Sequence, residues 1–184
     1  MAIIITKTHF DKIIKHCKEY FPAEAGGFLG GKGDVILGIF PIPNMVYMHG
    51  TGEERKKFQW GDWDIIRITE FFKEHNMDLI GFYHSHPDVN IPIPSHKDFE
   101  SLRARFIKKM MIVSMNKLRN TKVAIFTILP KYVKEKLVVI KDEAIKKYLI
   151  EFDKEKVNNN YFKEMQKLED RVSKIKAGNY KNKP

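Results

Sequence analysis

Two histidines two residues apart, His84 and His86, close the stretch Gly81-Phe82-Tyr83-His84-Ser85-His86-Pro87, and Asp98 follows further along. Side chains alternate faces along a strand, so both imidazoles can point the same way. Leu79-Ile80-Gly81-Phe82-Tyr83 reads as the buried strand that delivers them. Asp98 has to return from a loop restricted by Pro87, Pro92 and Pro94. Two imidazoles and a carboxylate suit Zn²⁺, and three protein ligands leave a fourth position for water, as in catalytic zinc sites. Far upstream, Glu24 precedes an apolar, glycine-rich segment. Taken alone, it could equally be an exposed loop acid.

The surrounding elements must position these groups. Thr8-His9-Phe10-Asp11 has capping-box spacing, and Phe10, Ile13, Ile14, Cys17 and Phe21 form one helical stripe that Pro22 stops. Gly26 to Lys32 satisfies the phosphate-loop spacing G-x-x-x-x-G-K, but Gly33 stands where a Ser/Thr would hold Mg²⁺ and no helix follows. Gly30 to Gly33 is instead expected to turn between two antiparallel strands, the second being Val35 to Phe40. Lys57-Phe58-Gln59-Trp60 alternates like a short strand. Asp62 is expected to cap a helix that buries Trp63, Ile66 and Phe71 or Phe72 and ends in a left-handed Asn76. Ser95-His96-Lys97-Asp98 opens another helix, to about Ile107, with Ser95 and Asp98 as a capping pair. Strands follow at 110–115, 122–128 and 137–140. The expected fold is α/β, a single mixed β-sheet flanked by helices.

The chain has 184 residues, enough for one domain with a substantial core. No apolar run approaches the roughly 20 residues of a membrane span. The single cysteine, Cys17, excludes an internal disulfide framework and points to a reducing cytoplasm; on the apolar helix face it reads as a packed thiol. The net charge of +10 comes from 33 Lys+Arg against 23 Asp+Glu, interspersed and without long basic blocks. That pattern favours a lysine-rich solvated surface over nucleic-acid binding. From Asp142 the composition turns to Lys and Glu, and Tyr161, Met165, Leu168, Val172 and Ile175 recur at heptad-like steps. The division expected is a globular domain over 1–141 and a charged amphipathic helical extension over 142–184. The extension would pack on the domain or, in a homodimer, on a sister chain.

Glu24, His84-Ser85-His86-Pro87, Ser95 and Asp98 together resemble the JAMM motif of the JAB/MPN (MPN+) metallopeptidases, compact prokaryotic-type members in particular. The likeness extends to Pro22 through Gly30, to Ile80-Gly81-Phe82-Tyr83 and to Met111-Ile112-Val113-Ser114, and covers roughly residues 6 to 140. The loop from Pro87 to Pro94 is one residue longer than in most members, and a local bulge would keep the S-x-x-D spacing. The resemblance implies the MPN/JAB, cytidine-deaminase-like fold. It implies that His84, His86 and Asp98 hold Zn²⁺ with a water, that Glu24 is the general base and then acid, and that Ser95 donates to the oxyanion. Ser85 is expected to shape a turn between the histidines. The implied activity is hydrolysis of the bond after the C-terminal Gly-Gly of a ubiquitin-like or sulfur-carrier protein. Ser-His-Asp acyl transfer from the same residues would leave the paired histidines and Glu24 without a purpose. A non-catalytic MPN scaffold or a RadC-like nucleic-acid-associated protein is the rival reading.

Overall fold

The computed structural model describes residues 2–46, 57–116 and 120–148. Its elements run β1 (Ala2–Thr6), α1 (Lys7–Tyr20), β2 (Gly26–Lys32), β3 (Val35–Ile42), α2 (Asp62–Glu74), β4 (Asp78–Pro87), α3 (His96–Ala104), β5 (Lys109–Asn116), β6 (Asn120–Thr127), β7 (Val133–Ile140) and a 3-10 helix, Asp142–Tyr148. The strand order is β1-β3-β2-β4-β5-β6-β7. β1 pairs in parallel with both β3 and β7, so the expected mixed sheet closes on itself. β1 is the element that sequence patterning did not supply. Its Ile3 and Ile5 are fully buried, as a strand with both edges paired demands.

β4 lies between β2, antiparallel, and β5, parallel. Flanked on both edges, it is buried over most of its length, which is why its sequence is nearly continuously apolar before the histidines. Its register sets His84 opposite Gly26 of β2 and Ile112 of β5. The β2–β3 pair is antiparallel as expected, but β2 continues to Lys32 and the turn falls at Gly33 and Asp34, with Gly33 left-handed at φ 57°. Gly27 has no room for a side chain: a Cβ there would sit 2.5 Å from the Phe40 carbonyl oxygen.

Several boundaries differ from the sequence expectation. α1 starts at Lys7, capped by Thr6, whose Oγ1 accepts from the His9 amide; β1 feeds straight into the helix, so the cap is the strand's last residue. Thr8 instead donates its hydroxyl to Asp142 at 2.8 Å. On α2, Trp63 and Ile66 are 77% and 49% exposed, not buried. The inward stripe is Ile65, Ile68 and Phe72, spaced three and four apart as a helix face requires. Gly61 is its cap, and its amide donates to Asp64 at 2.8 Å. Asn76 is left-handed, φ 56°, as expected. α3 stops at Ala104, and left-handed Phe106 redirects the chain so that buried Ile107 leads into β5. Cys17 is buried, and burial pushes its thiol well above the usual range, with a Ser85 hydrogen bond opposing.

No helix among the described residues is long and apolar enough to cross a membrane. Of the charged extension, only the 3-10 helix is described. The heptad-like stripe from Tyr161 to Ile175, with any dimer it would form, lies outside the described residues.

Candidate active site

His84 and His86 leave the same face of β4, as strand alternation requires. Their Nε2 atoms lie 2.9 Å apart. Asp98 meets both: Oδ1 is 3.3 Å from His84 Nε2, and Oδ2 is 3.3 Å from His86 Nε2. The helix start holds it there. Ser95 Oγ accepts from the Asp98 amide at 3.2 Å, and Asp98 Oδ2 accepts from the Ser95 amide at 2.7 Å, a reciprocal capping box. The expected capping pair and the expected ligand are thus one arrangement.

The longer loop is built in. Asp88 is left-handed at φ 59°, with its amide bonded to the Met115 carbonyl at 2.7 Å. Ser114 donates to the Val89 carbonyl, and Asn116 Nδ2 donates to Asn90 Oδ1 at 2.6 Å. These contacts anchor the first half of the loop to β5, and the Ser95 cap retains its spacing.

Glu24 enters from the segment before β2. Ala25 is locked to Ser85 twice, its carbonyl accepting from the Ser85 amide at 2.8 Å and its amide donating to Ser85 Oγ at 2.9 Å. No turn separates the histidines; β4 runs through, and Ser85 faces away from them because alternation sends it there. Glu24 is 8% exposed, and burial, followed by the charge of Asp98, pushes its carboxyl up to about 8. Burial would also raise Asp98. Hydrogen bonds from His84 and His86, the charge of His84 and the Ser95 cap outweigh that and hold it well below the usual carboxylate range. Burial pulls His84 down, with Asp98 opposing. An ionised carboxylate beside a neutral imidazole is the protonation pattern of metal ligands.

All five residues singled out in the sequence, Glu24, His84, His86, Ser95 and Asp98, line one cavity of about 1000 Å³. Its walls were not foreseen. Phe58, Trp60 and Phe82 form one side, with Trp60 stacked on Phe82 at 5.4 Å between centroids. Arg105 lies over Trp60, 4.8 Å from the ring centroid, and its Nη1 donates to Ser101 Oγ at 3.1 Å. Residues 57–60 alternate in exposure as expected, but they form no strand.

The donor set fits a small divalent cation. One ligand atom from each of His84, His86 and Asp98 can be chosen so that all lie within 4.8 Å of one another. Zinc ligands at ~2.0–2.1 Å in a tetrahedron stand roughly 3.3 Å apart, close to the separations of 2.9 and 3.3 Å found here. His84 Nδ1 is buried with no hydrogen-bond partner among the described residues, so nothing on that side of the ring fixes its tautomer.

Comparison with known proteins bears on the family and the fold. The model of the prokaryotic homologs of the JAB domain matches residues 6–128. The chain belongs to this family. It is similar to a desampylase of Haloferax volcanii, 31% identical over 96 residues, a match that spans 49% of this chain and 65% of that protein. A Desulfitobacterium hafniense protein of known solution structure superposes with a TM-score of 0.61 at 21% identity, covering 77% of this chain and 94% of that one. A Salinibacter ruber protein does so with a TM-score of 0.53, also at 21% identity and with the same coverage. These two likenesses concern the fold; with the family match, they bear out the expected JAB/MPN-type mixed sheet with flanking helices.

Proposed function

We propose that this JAB-family protein is a zinc-dependent isopeptidase or peptidase. It would cut the bond after the C-terminal Gly-Gly of a ubiquitin-like or sulfur-carrier protein. The observation that carries the proposal is the meeting of His84, His86 and Asp98 in a cavity that also holds a buried, protonatable Glu24. Nitrogen and carboxylate donors, three in number, favour zinc with an open position. The desampylase relative supports a ubiquitin-like substrate class.

His84, His86 and Asp98 would hold the zinc. Bound there, zinc supplies a Lewis acid that polarises the scissile carbonyl and lowers the pKa of water from ~15.7 to ~7. Glu24 takes the proton of the attacking water and passes it to the leaving amine, base and then acid. Its raised affinity for a proton suits the second role, and positive charge held by the three ligands would oppose the rise and favour the first. Ser95 uses a lone pair of Oγ to accept the Asp98 amide, so its own hydroxyl hydrogen can be donated to the oxyanion of the tetrahedral intermediate.

A purely scaffolding MPN module has no use for a complete ligand set beside a buried acid. The nucleic-acid reading rests on the charge of +10 alone. A cytoplasmic setting accords with the lone buried Cys17. The 142–184 extension is proposed to mediate self-association; truncation after Tyr148, which spares the Asp142–Thr8 contact, should abolish it in light scattering.

The test is cleavage of a small ubiquitin-like protein carrying a C-terminal extension after Gly-Gly. It is run with Zn²⁺, with chelator and with Glu24→Gln. Cleavage at the junction, lost under both controls, is expected. A protein that binds one zinc tightly yet cuts no such fusion would refute the substrate class, and one that binds no zinc would refute the mechanism.

A further inference from the structure

Asn44 is 1% exposed, and both ends of its side chain are engaged. Its Nδ2 donates to the Glu24 carbonyl at 3.1 Å and to the Lys57 carbonyl at 2.8 Å. Its Oδ1 accepts from the Val46 amide at 3.1 Å and from the Gln59 amide at 3.2 Å. A primary amide has two N–H donors and two lone pairs on oxygen, so one buried side chain makes all the hydrogen bonds it can. The partners are informative. One is the backbone of the candidate general base. Two belong to the 57–60 segment, which lies in no helix or strand and carries Phe58 and Trp60 into the cavity. A backbone bond from the Met45 amide to the Gln59 carbonyl, 3.0 Å, joins the same two parts of the chain one residue from Asn44 itself.

We infer that Asn44 is a positioning residue: its carboxamide holds Glu24 and the aromatic cavity wall in one register, so that the base and the substrate-facing wall are set together. This rests on the reading of Glu24 as the base, but the coupling itself is a property of the fold. A ~1 Å error in the placement of a catalytic group can cost about 100-fold in rate. Asp is nearly isosteric with Asn and keeps the two acceptor bonds, but it removes both donors, including the one to Glu24. Asn44→Asp should therefore lower kcat by roughly 10- to 100-fold, with zinc stoichiometry and affinity unchanged because no ligand is touched.

The chain has two tryptophans, so Trp63→Phe leaves Trp60 as the sole reporter of the wall. In that background Asn44→Asp is expected to red-shift Trp60 emission and increase its quenching by acrylamide. If zinc binding, kcat and Trp60 emission all stay at the parent's values, the inference is overturned. Should the variant fail to fold, hydrogen exchange on the unaltered protein decides. The Gln59 amide lies in no helix or strand and is expected to be protected by roughly 100-fold or more, as for a buried bond; exchange at the rate of a free loop overturns the proposal. If the parent cuts no ubiquitin-like fusion while the Trp60 change and the protection are both found, the proposed function fails and the clasp stands.

Discussion

The two faces of β4 are built from neighbouring residues and obey different rules. On one face Phe82, His84 and His86 turn towards the cavity, and the two imidazole Nε2 atoms, 2.9 Å apart, each lie 3.3 Å from an Asp98 carboxylate oxygen. On the other, Tyr83 and Ser85 are fully buried and bonded to structural partners: the Tyr83 hydroxyl to His16 Nδ1 at 3.0 Å, and Ser85 to Ala25. Polar groups on the second face are satisfied pairwise within the fold. Those on the first are packed together in a way that benefits from a cation. A period of two along one strand is enough to separate chemistry from support. The separation also explains why Ser85 sits between two candidate ligands yet faces none of them.

Breaking the cavity face should give the largest effects. His84→Ala or Asp98→Asn is expected to remove both bound zinc and detectable hydrolysis, read by metal analysis and by fusion cleavage. Zinc at ~100 times its Kd should stabilise the unaltered protein by about 2.7 kcal/mol, or roughly 5–10 °C in Tm for a chain of this size. Chelator should reverse that shift, and Asp98→Asn should abolish it. A zinc-induced Tm shift that survives in Asp98→Asn would place the cation elsewhere.

Glu24→Gln sharpens the same face by separating metal from proton transfer. Activity is expected to fall by ~10²–10⁴ while zinc content holds. Equal loss of zinc would make Glu24 part of the binding site and not the base.

Much of this site was legible in the sequence because its spacing is local. The H-x-H pair on a strand and S-x-x-D at a helix start are short-range devices whose geometry follows from one element each. Their fusion with Glu24 depends on β2–β4 pairing, which only the family resemblance anticipated. What was missed is long-range. β1 is five residues whose partners, β3 and β7, lie far along the chain. The apolar pattern puts Trp63 and Ile66 inside, because a helix's apolar residues do not say which of two possible stripes the rest of the fold will cover. Asn44 follows Pro43 just after a strand, the pattern of a strand terminator. Nothing in its own neighbourhood announces that residues 57–59 return to meet it.

Acidity offers a finer probe of the two sides of the molecule. Glu24, on the cavity side, is pushed up to about 8 from an ordinary 4.5 by burial and then by Asp98. Between those values the unfolded chain has lost a proton that the folded one keeps. The stabilisation is therefore complete below 4.5 and is lost as pH rises through about 8. His9 on α1 acts in the opposite sense. Burial, then Lys12, pulls it down to about 4 from 6.5, so its contribution is complete above 6.5 and lost as pH falls through about 4. Without zinc, stability should peak in the mildly acidic range, with slopes on either side of up to about 1.4 kcal/mol per pH unit. Glu24→Gln should flatten the alkaline slope and let the acid limb run, no longer opposed, up to about 6.5, measured as denaturant midpoints across pH in the presence of chelator. An alkaline slope that persists in the variant would assign it to another group.

The smallest expected effect tests whether the two faces are separable at all. Tyr83→Phe deletes a hydroxyl bonded to His16 and leaves the ring in place, edge-on to His16 at 5.9 Å. A buried neutral hydrogen bond contributes about 1 kcal/mol net, so Tm should fall by roughly 2–4 °C. Zinc affinity and kcat/KM should stay within about twofold, since the deleted atom faces away from the cavity. The adjacent residue makes the alternative concrete. Ser85 shares that face and is bonded at both its amide and its hydroxyl to Ala25, the neighbour of Glu24. If Tyr83→Phe lowered kcat/KM tenfold with zinc retained, a shift on the supporting face would be reaching the base through that pair of bonds. β4 would then be a single coupled element and not two independent surfaces.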